Sequence, residues 1–462
     1  MRKRAKGSAS RRVLLVEPGY RNKYPPLGLM KIASYHKARG DEVTFVKGKD
    51  RAVRDRQWDR IYVTTLFSFD WTLTVDTIKF YNAGDTDVAH PQLYVGGIAA
   101  TILHDEFEGE TGIKPITGCL SRPGVLDSGD HRVIDHMVPD YSILGDVDYE
   151  YPRSDAYIGY ATRGCSRKCR FCAVPKLEPD FVEYVDLKPW VEGVREEYGE
   201  KQHLLLLDNN VLASPRLADI VADIRELGFT TGAKLNGKSR YVDFNQGLDA
   251  RLLTKAKMDL LAELPINPFR LAYDNTRMAK TYERAIRIAA AAGVKNISTY
   301  VLYNYRDTPE DFWDRLHHNV KLSEELGVRI WSFPMKYIPV THKNRRYVGP
   351  HWNARHLRSI QCISLVSRGA VSALHDFFHA AFGENHSQLR EILSMPERYI
   401  IYRNQFSENG AADWLAEFRG LSHTERGSLI DLVSGKTRLE IRLDREGMLS
   451  GPIREILRHY SA

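Results

Sequence analysis

Three cysteines, Cys165, Cys169 and Cys172, stand close together in Gly-Cys-Ser-Arg-Lys-Cys-Arg-Phe-Cys, a CxxxCxxC run. Three thiolates so near one another cannot make an even set of disulfides, but they can hold iron. In a cubane iron–sulfur cluster each of the four irons takes a thiolate. Three cysteines therefore leave one iron with an open position for a substrate or cofactor, whereas an electron carrier would close it. The spacing predicts a catalytic cluster with Cys165, Cys169 and Cys172 as its metal ligands. A structural zinc site is the rival reading. Such sites use four ligands, often as two short pairs, and here there is no second CxxC and the nearest histidines, His136 and His203, lie far along the chain. Arg163, Arg167, Lys168 and Arg170 flank the cysteines, either to offset the charge of cluster and thiolates or simply to face water.

Elements that could position such a loop recur along the middle of the chain. Apolar runs at 157–160, 204–207, 241–244, 269–272, 297–302 and 330–333 follow one another with helix-length spacers. Nearly every run ends in polar or reactive residues: Gly164-Cys165, Asp208-Asn209-Asn210, Asn245-Gln246 with Asp249 and Arg251, Asp274-Asn275, Tyr303-Asn304-Tyr305, and Tyr337. Functional groups gather at the C-terminal ends of the strands of a (β/α) barrel. Residues 151–340 are thus expected to form a partial (β/α)6, TIM-like barrel, with the cysteines after its first strand.

Upstream, runs at 13–16, 43–46, 61–66 and 93–95 alternate with helical stretches, the first at 27–39 between Pro25-Pro26 and Gly40. This βαβ opening predicts a Rossmann-like parallel-sheet domain over 12–150. The GxGxxG fingerprint is missing after the first run, where Glu17-Pro18-Gly19-Tyr20 stands, so a dinucleotide site is not expected. Residues 110–155 read as a linker, and 1–11 as a solvated basic tail. Past 340 the pattern is helical, at 355–381, 387–393 and 411–418, which makes 341–462 a mainly helical C-terminal region. The fold class is α/β.

The cysteine run, the aromatic Phe171 before its third cysteine and the repeated β/α units together resemble the radical S-adenosylmethionine (AdoMet) superfamily, over roughly residues 155–340. The resemblance implies a [4Fe–4S] cluster whose open iron chelates the amino and carboxylate groups of AdoMet. It implies reductive cleavage of AdoMet to a 5′-deoxyadenosyl radical that abstracts hydrogen from a substrate, the protein positioning and shielding chemistry that the cofactor supplies. An external electron donor of flavodoxin or ferredoxin type is implied as well. Carried onto this chain, the likeness makes Cys165, Cys169 and Cys172 the catalytic residues and sets Phe171 near the adenine. Asp208 and Asn209 stand where the family often has a Gly-Gly-Glu-like segment that binds the AdoMet amino group. The chain departs from that pattern, although an acidic or amide side chain can accept from an ammonium; an Asx cap on the next helix is the other reading.

The first domain resembles the cobalamin-binding-like domain ahead of many radical AdoMet proteins, through Pro25-Pro26-Leu27-Gly28-Leu29 opening a helix and Val95-Gly96-Gly97 after a later strand. The DxHxxG pattern that supplies a lower axial histidine is absent, which favours a cofactor-free domain. If cobalamin does bind, methyl transfer to an unactivated carbon becomes the expected reaction. Cysteine counting removes other subclasses. Only Cys119 lies in the first domain, too few for the second triad of methylthiotransferases, and only Cys362 lies in the C-terminal region, too few for an auxiliary cluster.

The 462 residues are 43% hydrophobic and 27% charged with a formal net charge of +7, an ordinary balance for a globular protein with more than one core. A non-catalytic iron–sulfur or zinc module that recognises RNA through a basic surface is the competing class. The charge excess is too diffuse to demand nucleic acid. No apolar run approaches the ~20 residues of a membrane helix, no signal-peptide core follows the basic start, and clustered cysteines suit a reducing interior. The expectation is a cytoplasmic enzyme without a membrane partner.

Overall fold

A computed structural model describes residues 10–83, 92–406, 410–448 and 450–461. Most of the expected basic tail, up to residue 9, lies outside the described residues. The chain divides into two compact units, Met1–Leu248 with Ala256–Asn267 and Pro339–Arg345, and Asp249–Lys255 with Pro268–Ile338 and Arg346–Ala462.

The first unit begins with β1 (Arg12–Glu17), β2 (Glu42–Lys47), β3 (Arg60–Thr65) and β4 (Gln92–Gly97), all parallel, in the order β2-β1-β3-β4. Val13, Leu14, Leu15 and Val16 of β1 are all 0% exposed. A strand covered on both faces has no polar side to show, hence its unbroken apolar run. Leu14, Val16, Ile61 and Val63 face Val75 and Ile78 of helix Trp71–Asn82 and Phe107 of helix His104–Thr111. Helix Leu27–Lys37 packs against β1 and β2 with Leu29, Met30, Ile32 and Ala33 buried. The strand order reverses between β1 and β3, and such a switch point opens a crevice at the carboxyl ends of the strands. Gly97 closes β4 there with φ +108°, and a Cβ on it would collide with the Thr65 carbonyl.

Residues 110–155 carry little regular structure beyond two 3-10 turns, yet a series of aspartates stitches them down. Asp127 takes Arg60 at 2.6 Å and the Tyr35 hydroxyl at 2.8 Å; Asp130 takes Arg39 at 2.7 Å; Asp140 takes Lys37 at 2.6 Å; and Asp146 accepts from the Phe45 N–H at 2.9 Å. Burial alone would raise the Asp127 carboxyl, but Arg60 and Tyr35 outweigh it and hold it well below the usual carboxylate range.

A second parallel sheet of the first unit has the order β5 (Ala156–Gly159), β6 (His203–Leu206), β9 (Val242–Phe244), with a small hairpin of β7 (Lys234–Leu235) and β8 (Lys238–Ser239) before its last strand. The second unit holds β10 (Phe269–Ala272), β11 (Asn296–Tyr303) and β12 (Arg329–Lys336), parallel, and β13 (Val371–Ser372) antiparallel on the edge. All six apolar runs of the middle region are therefore strands. Among the described residues their hydrogen bonds join them as two sets of three, one set in each unit.

The C-terminal region is mainly helical, with one correction. The stretch expected as continuous helix over 355–381 is two helices, Ala354–Val366 and His375–Phe382. Arg368 and Gly369 turn left-handed between them (φ +53° and +84°), and the chain then lays β13 beside β12. Helical periodicity on both sides masks the eight-residue break between them. Hairpin β7–β8 also escapes a periodicity reading, since two-residue strands show no period.

Candidate active site

The cysteine loop leaves β5 and returns to the sheet in a closed form. Arg163 and Val182 exchange backbone hydrogen bonds at 3.1 and 2.9 Å, and the Val185 N–H donates to the Ala161 carbonyl at 2.7 Å. These bonds pinch the base of the loop so that residues 164–181 stand out from it. Gly164 needs its left-handed φ of +70°, and a Cβ there would collide with the Asp180 carbonyl oxygen. Cys165, Cys169 and Cys172 follow, all half-buried.

Amide donors are aimed at two of the three sulfurs. The Arg167 N–H reaches Cys165 Sγ at 3.3 Å, Asn210 Nδ2 reaches the same sulfur at 3.5 Å, and the Val174 N–H reaches Cys172 Sγ at 3.5 Å. Hydrogen bonds to the sulfurs tune the potential of a cluster bound there. Among the described residues no three His, Cys, Asp or Glu side chains close around a point that would seat a single ion. Thiolates of a cubane need no such convergence, because each binds a different iron. The donor set fits a three-cysteine cluster.

Asp208, at the end of β6, is 1% exposed, and its oxygens are occupied by the start of the loop. They accept from the Ala161 N–H at 3.1 Å and from the Thr162 N–H and hydroxyl, the latter at 2.6 Å. Burial pushes its carboxyl up to about 6 against those hydrogen bonds. Asn209 donates to Glu178 Oε2 at 3.0 Å, while its neighbour Asn210 reaches the sulfur of Cys165. Phe171 is half-buried in the same turn as Cys169 and Cys172. Asp208 and Asn209 therefore reach the cysteine segment from the end of β6.

Glu178 escaped the sequence reading. It accepts from the Gly164 N–H at 2.6 Å, from Arg163 at 2.7 Å and from Asn209, and so holds the loop's entry to its exit. Arg163 is neither solvated nor turned to the sulfurs of the CxxxCxxC run. Its guanidinium lies over the Tyr160 ring (4.0 Å) and pairs with Asp135 at 2.8 Å, and its Nη2 donates to Cys119 Sγ at 3.0 Å. Lys31 reaches the same Asp135 at 3.2 Å. Burial raises the Cys119 thiol, a packed thiol as its isolation in sequence suggests. Nothing in the spacing marks Glu178, which follows a four-residue helix, or Asp135, which lies in a three-residue 3-10 turn.

The other strand-end residues are placed by local bonds. Asn245 donates to the Tyr24 hydroxyl at 2.6 Å in the first unit. In the second unit Asp249 pairs with Arg251 at 2.6 Å, and burial raises the Asp274 carboxyl. Tyr305 and Tyr337 meet edge to face, while Asn304 (φ +68°) braces the Tyr337 and Tyr347 carbonyls at 2.9 and 3.2 Å. Arg315, fully buried, gathers the Tyr273 and Asp274 carbonyls at 3.0 Å and Asp307 at 2.7 Å, and so ties the ends of β10 and β11 together.

No protein-family model matches the chain, and no curated protein does. Solved structures do. The chain is similar to the radical S-adenosylmethionine methyltransferase TsrM from Kitasatospora setae, solved with cobalamin and a [4Fe–4S] cluster, at 15% identity over 77% of this chain and 76% of that one, TM-score 0.46. It is similar to the cobalamin-dependent S-adenosylmethionine radical enzyme OxsB with aqua-cobalamin, at 14% identity over 67% of this chain and 52% of that one, TM-score 0.49. Coproporphyrinogen III oxidase (HemN) from Escherichia coli, a radical SAM enzyme, aligns at 14% identity over 46% of this chain and 52% of its own, TM-score 0.31. No helix among the described residues is long and apolar enough to cross a membrane.

Proposed function

We propose that this chain is a radical AdoMet enzyme, with a [4Fe–4S] cluster held by Cys165, Cys169 and Cys172. The observation that carries the reading is the loop itself. Three cysteines at CxxxCxxC spacing sit on a segment pinched at its base, with N–H donors directed at the sulfurs of Cys165 and Cys172. Bound together, cluster and AdoMet supply reductive cleavage of the cofactor and hydrogen abstraction from a substrate. The chain's own residues give the loop its shape: Glu178 bridges its ends, Asp208 fixes its first turn, and Asn209 and Phe171 lie beside the cysteines to meet the cofactor. In this reading β5, β6 and β9 followed by β10, β11 and β12 form a partial (β/α)6 barrel, and an external one-electron donor of flavodoxin or ferredoxin type serves the cluster.

Cobalamin-dependent methyl transfer is a second reading. It is favoured by the β2-β1-β3-β4 sheet, whose switch point lies between β1 and β3, with Gly96-Gly97 ending the neighbouring strand. Ligands of open α/β sheets bind in the crevice at such a switch point.

The test is anaerobic reconstitution with iron and sulfide, then AdoMet and a strong reductant, with Cys169→Ala alongside. Four irons per chain and 5′-deoxyadenosine from the wild type alone support the radical reading. S-adenosylhomocysteine formed only when cobalamin is added would support methyl transfer. Zinc without iron would overturn both.

A further inference from the structure

The C-terminal region of the second unit contains a basic cavity that neither reading above uses. It has a volume of about 350 Å³ and is walled by the starts of two helices, Ala354–Val366 and Arg438–Gly447, and by Pro396–Arg398 and His459–Tyr460. Arg355, Arg358, Arg398, Lys436 and Arg438 all line it, with His459, against a single carboxylate, Glu397. Arg358 takes Glu397 at 2.7 Å, whereas Arg355 stands 3.9 Å from it, and Lys436 pairs outside the lining with Asp444 at 2.6 Å. With Lys436 paired to Asp444, one acid is left against four arginines and cannot neutralise them. The excess shows in Glu397 itself: burial would raise its carboxyl, yet the hydrogen bond from Arg358 and the charges of Arg355 and Arg438 hold it below its ordinary value.

Two features distinguish this from a solvated patch. Arg355 is more than nine-tenths buried; its Nη2 donates to the Met395 carbonyl, and its Nε has no hydrogen-bond partner. Arg398 Nε and Ser434 Oγ are buried without partners beside them. Buried donors left without an acceptor are costly, and a site that gathers several is shaped for an acceptor from outside. The N-termini of two helices, thirteen and ten residues long, open at the same place, the first capped by Asn353 and the second by the Thr437–Glu440 capping box.

We propose that this cavity binds the phosphate of a small phosphate monoester. A carboxylate would be satisfied by one guanidinium, whereas a phosphate dianion presents three oxygens and suits several arginines together. The volume is at the lower end of small-molecule sites, and Val433, Ile441, Pro396 and the Tyr460 ring provide an apolar wall for the organic part. A polymer would need an extended groove, which a cavity of this size does not offer.

The experiment is isothermal titration calorimetry on the full, cluster-reconstituted chain with inorganic phosphate, adenosine 5′-monophosphate and adenosine. Phosphate and the monophosphate are expected to bind and adenosine to give no heat. Arg438→Gln and Lys436→Gln change exposed residues, so the fold is not at stake. Each is expected to weaken the monophosphate about tenfold, the loss of one charge-assisted contact. Cys169→Ala is expected to leave binding unchanged. The proposal is overturned if neither phosphate compound binds, if adenosine binds as well as its monophosphate, if both glutamine variants bind like the wild type, or if Cys169→Ala abolishes binding.

Discussion

The backbone N–H of Gly164 lies 2.6 Å from Glu178 Oε2, so the residue before Cys165 is held by a side chain from the far end of the same loop. The same carboxylate takes Arg163 and Asn209, which makes it the common acceptor for both sides of the cysteine segment. Supporting contacts of this kind typically account for about 10–100-fold in metal affinity. Glu178→Ala is therefore expected to lower iron retention on reconstitution by about tenfold or more, and Glu178→Gln by less, since an amide oxygen can still accept from Gly164. Iron and sulfide per chain, measured against chelator concentration, check this; equal retention in all three proteins would remove Glu178 from the site.

Gly164 and Gly112 offer a paired test of the loop geometry. Both are left-handed, at φ +70° and +71°, but a Cβ on Gly112 meets nothing within 4 Å, whereas one on Gly164 strikes the Asp180 carbonyl. Gly112→Ala is expected to cost only the backbone preference, about 1–2 kcal/mol, with cluster binding intact. Gly164→Ala should lose the cluster while far-ultraviolet circular dichroism stays native. Iron content of the two variants decides the matter.

Asp208 gives a pH dependence of defined sign. Its carboxyl is raised from 3.8 to about 6 by complete burial, so the folded chain holds this proton more tightly than the unfolded chain does. The stability it contributes is present below about pH 4 and is lost as pH rises through about 6, by roughly 3 kcal/mol in all. Asp208→Asn removes this titration. The urea-unfolding midpoint of the metal-free variant should therefore change less between about pH 4 and pH 7 than that of the wild type; identical changes would mean that Asp208 does not titrate in this range.

Arg315 is a buried cation whose partners are strand-end carbonyls and Asp307. Removing it leaves an acid and several carbonyls without a donor in the interior. Arg315→Ala is expected to destabilise the second unit by about 3–5 kcal/mol, measured as a lower urea midpoint. A loss below about 1 kcal/mol would show that water replaces the guanidinium without penalty.

The local sequence determined the strands and the placement of the three cysteines. An apolar run that is buried on both faces must be a strand or a buried helix, and run lengths of four to six residues chose the strand at every one of the six middle positions. The CxxxCxxC spacing set the three thiolates on one short loop, because residues so close in sequence cannot be far apart in space. What the tertiary structure alone decided was which distant groups close around that loop. Glu178, just after a four-residue helix, and Asp135, in a three-residue 3-10 turn, sit on elements too short for any periodicity to mark them. Arg163 is indistinguishable in sequence from Arg170, yet it is drawn in under Tyr160 while Arg170 stays exposed. Ion pairs and amide–carboxylate contacts have no sequence period, since their partners are matched by charge and distance only after the chain has folded. The basic cavity has the same origin: its five cations are spread from Arg355 to Arg438, and only the packing of the C-terminal helices brings them to one place.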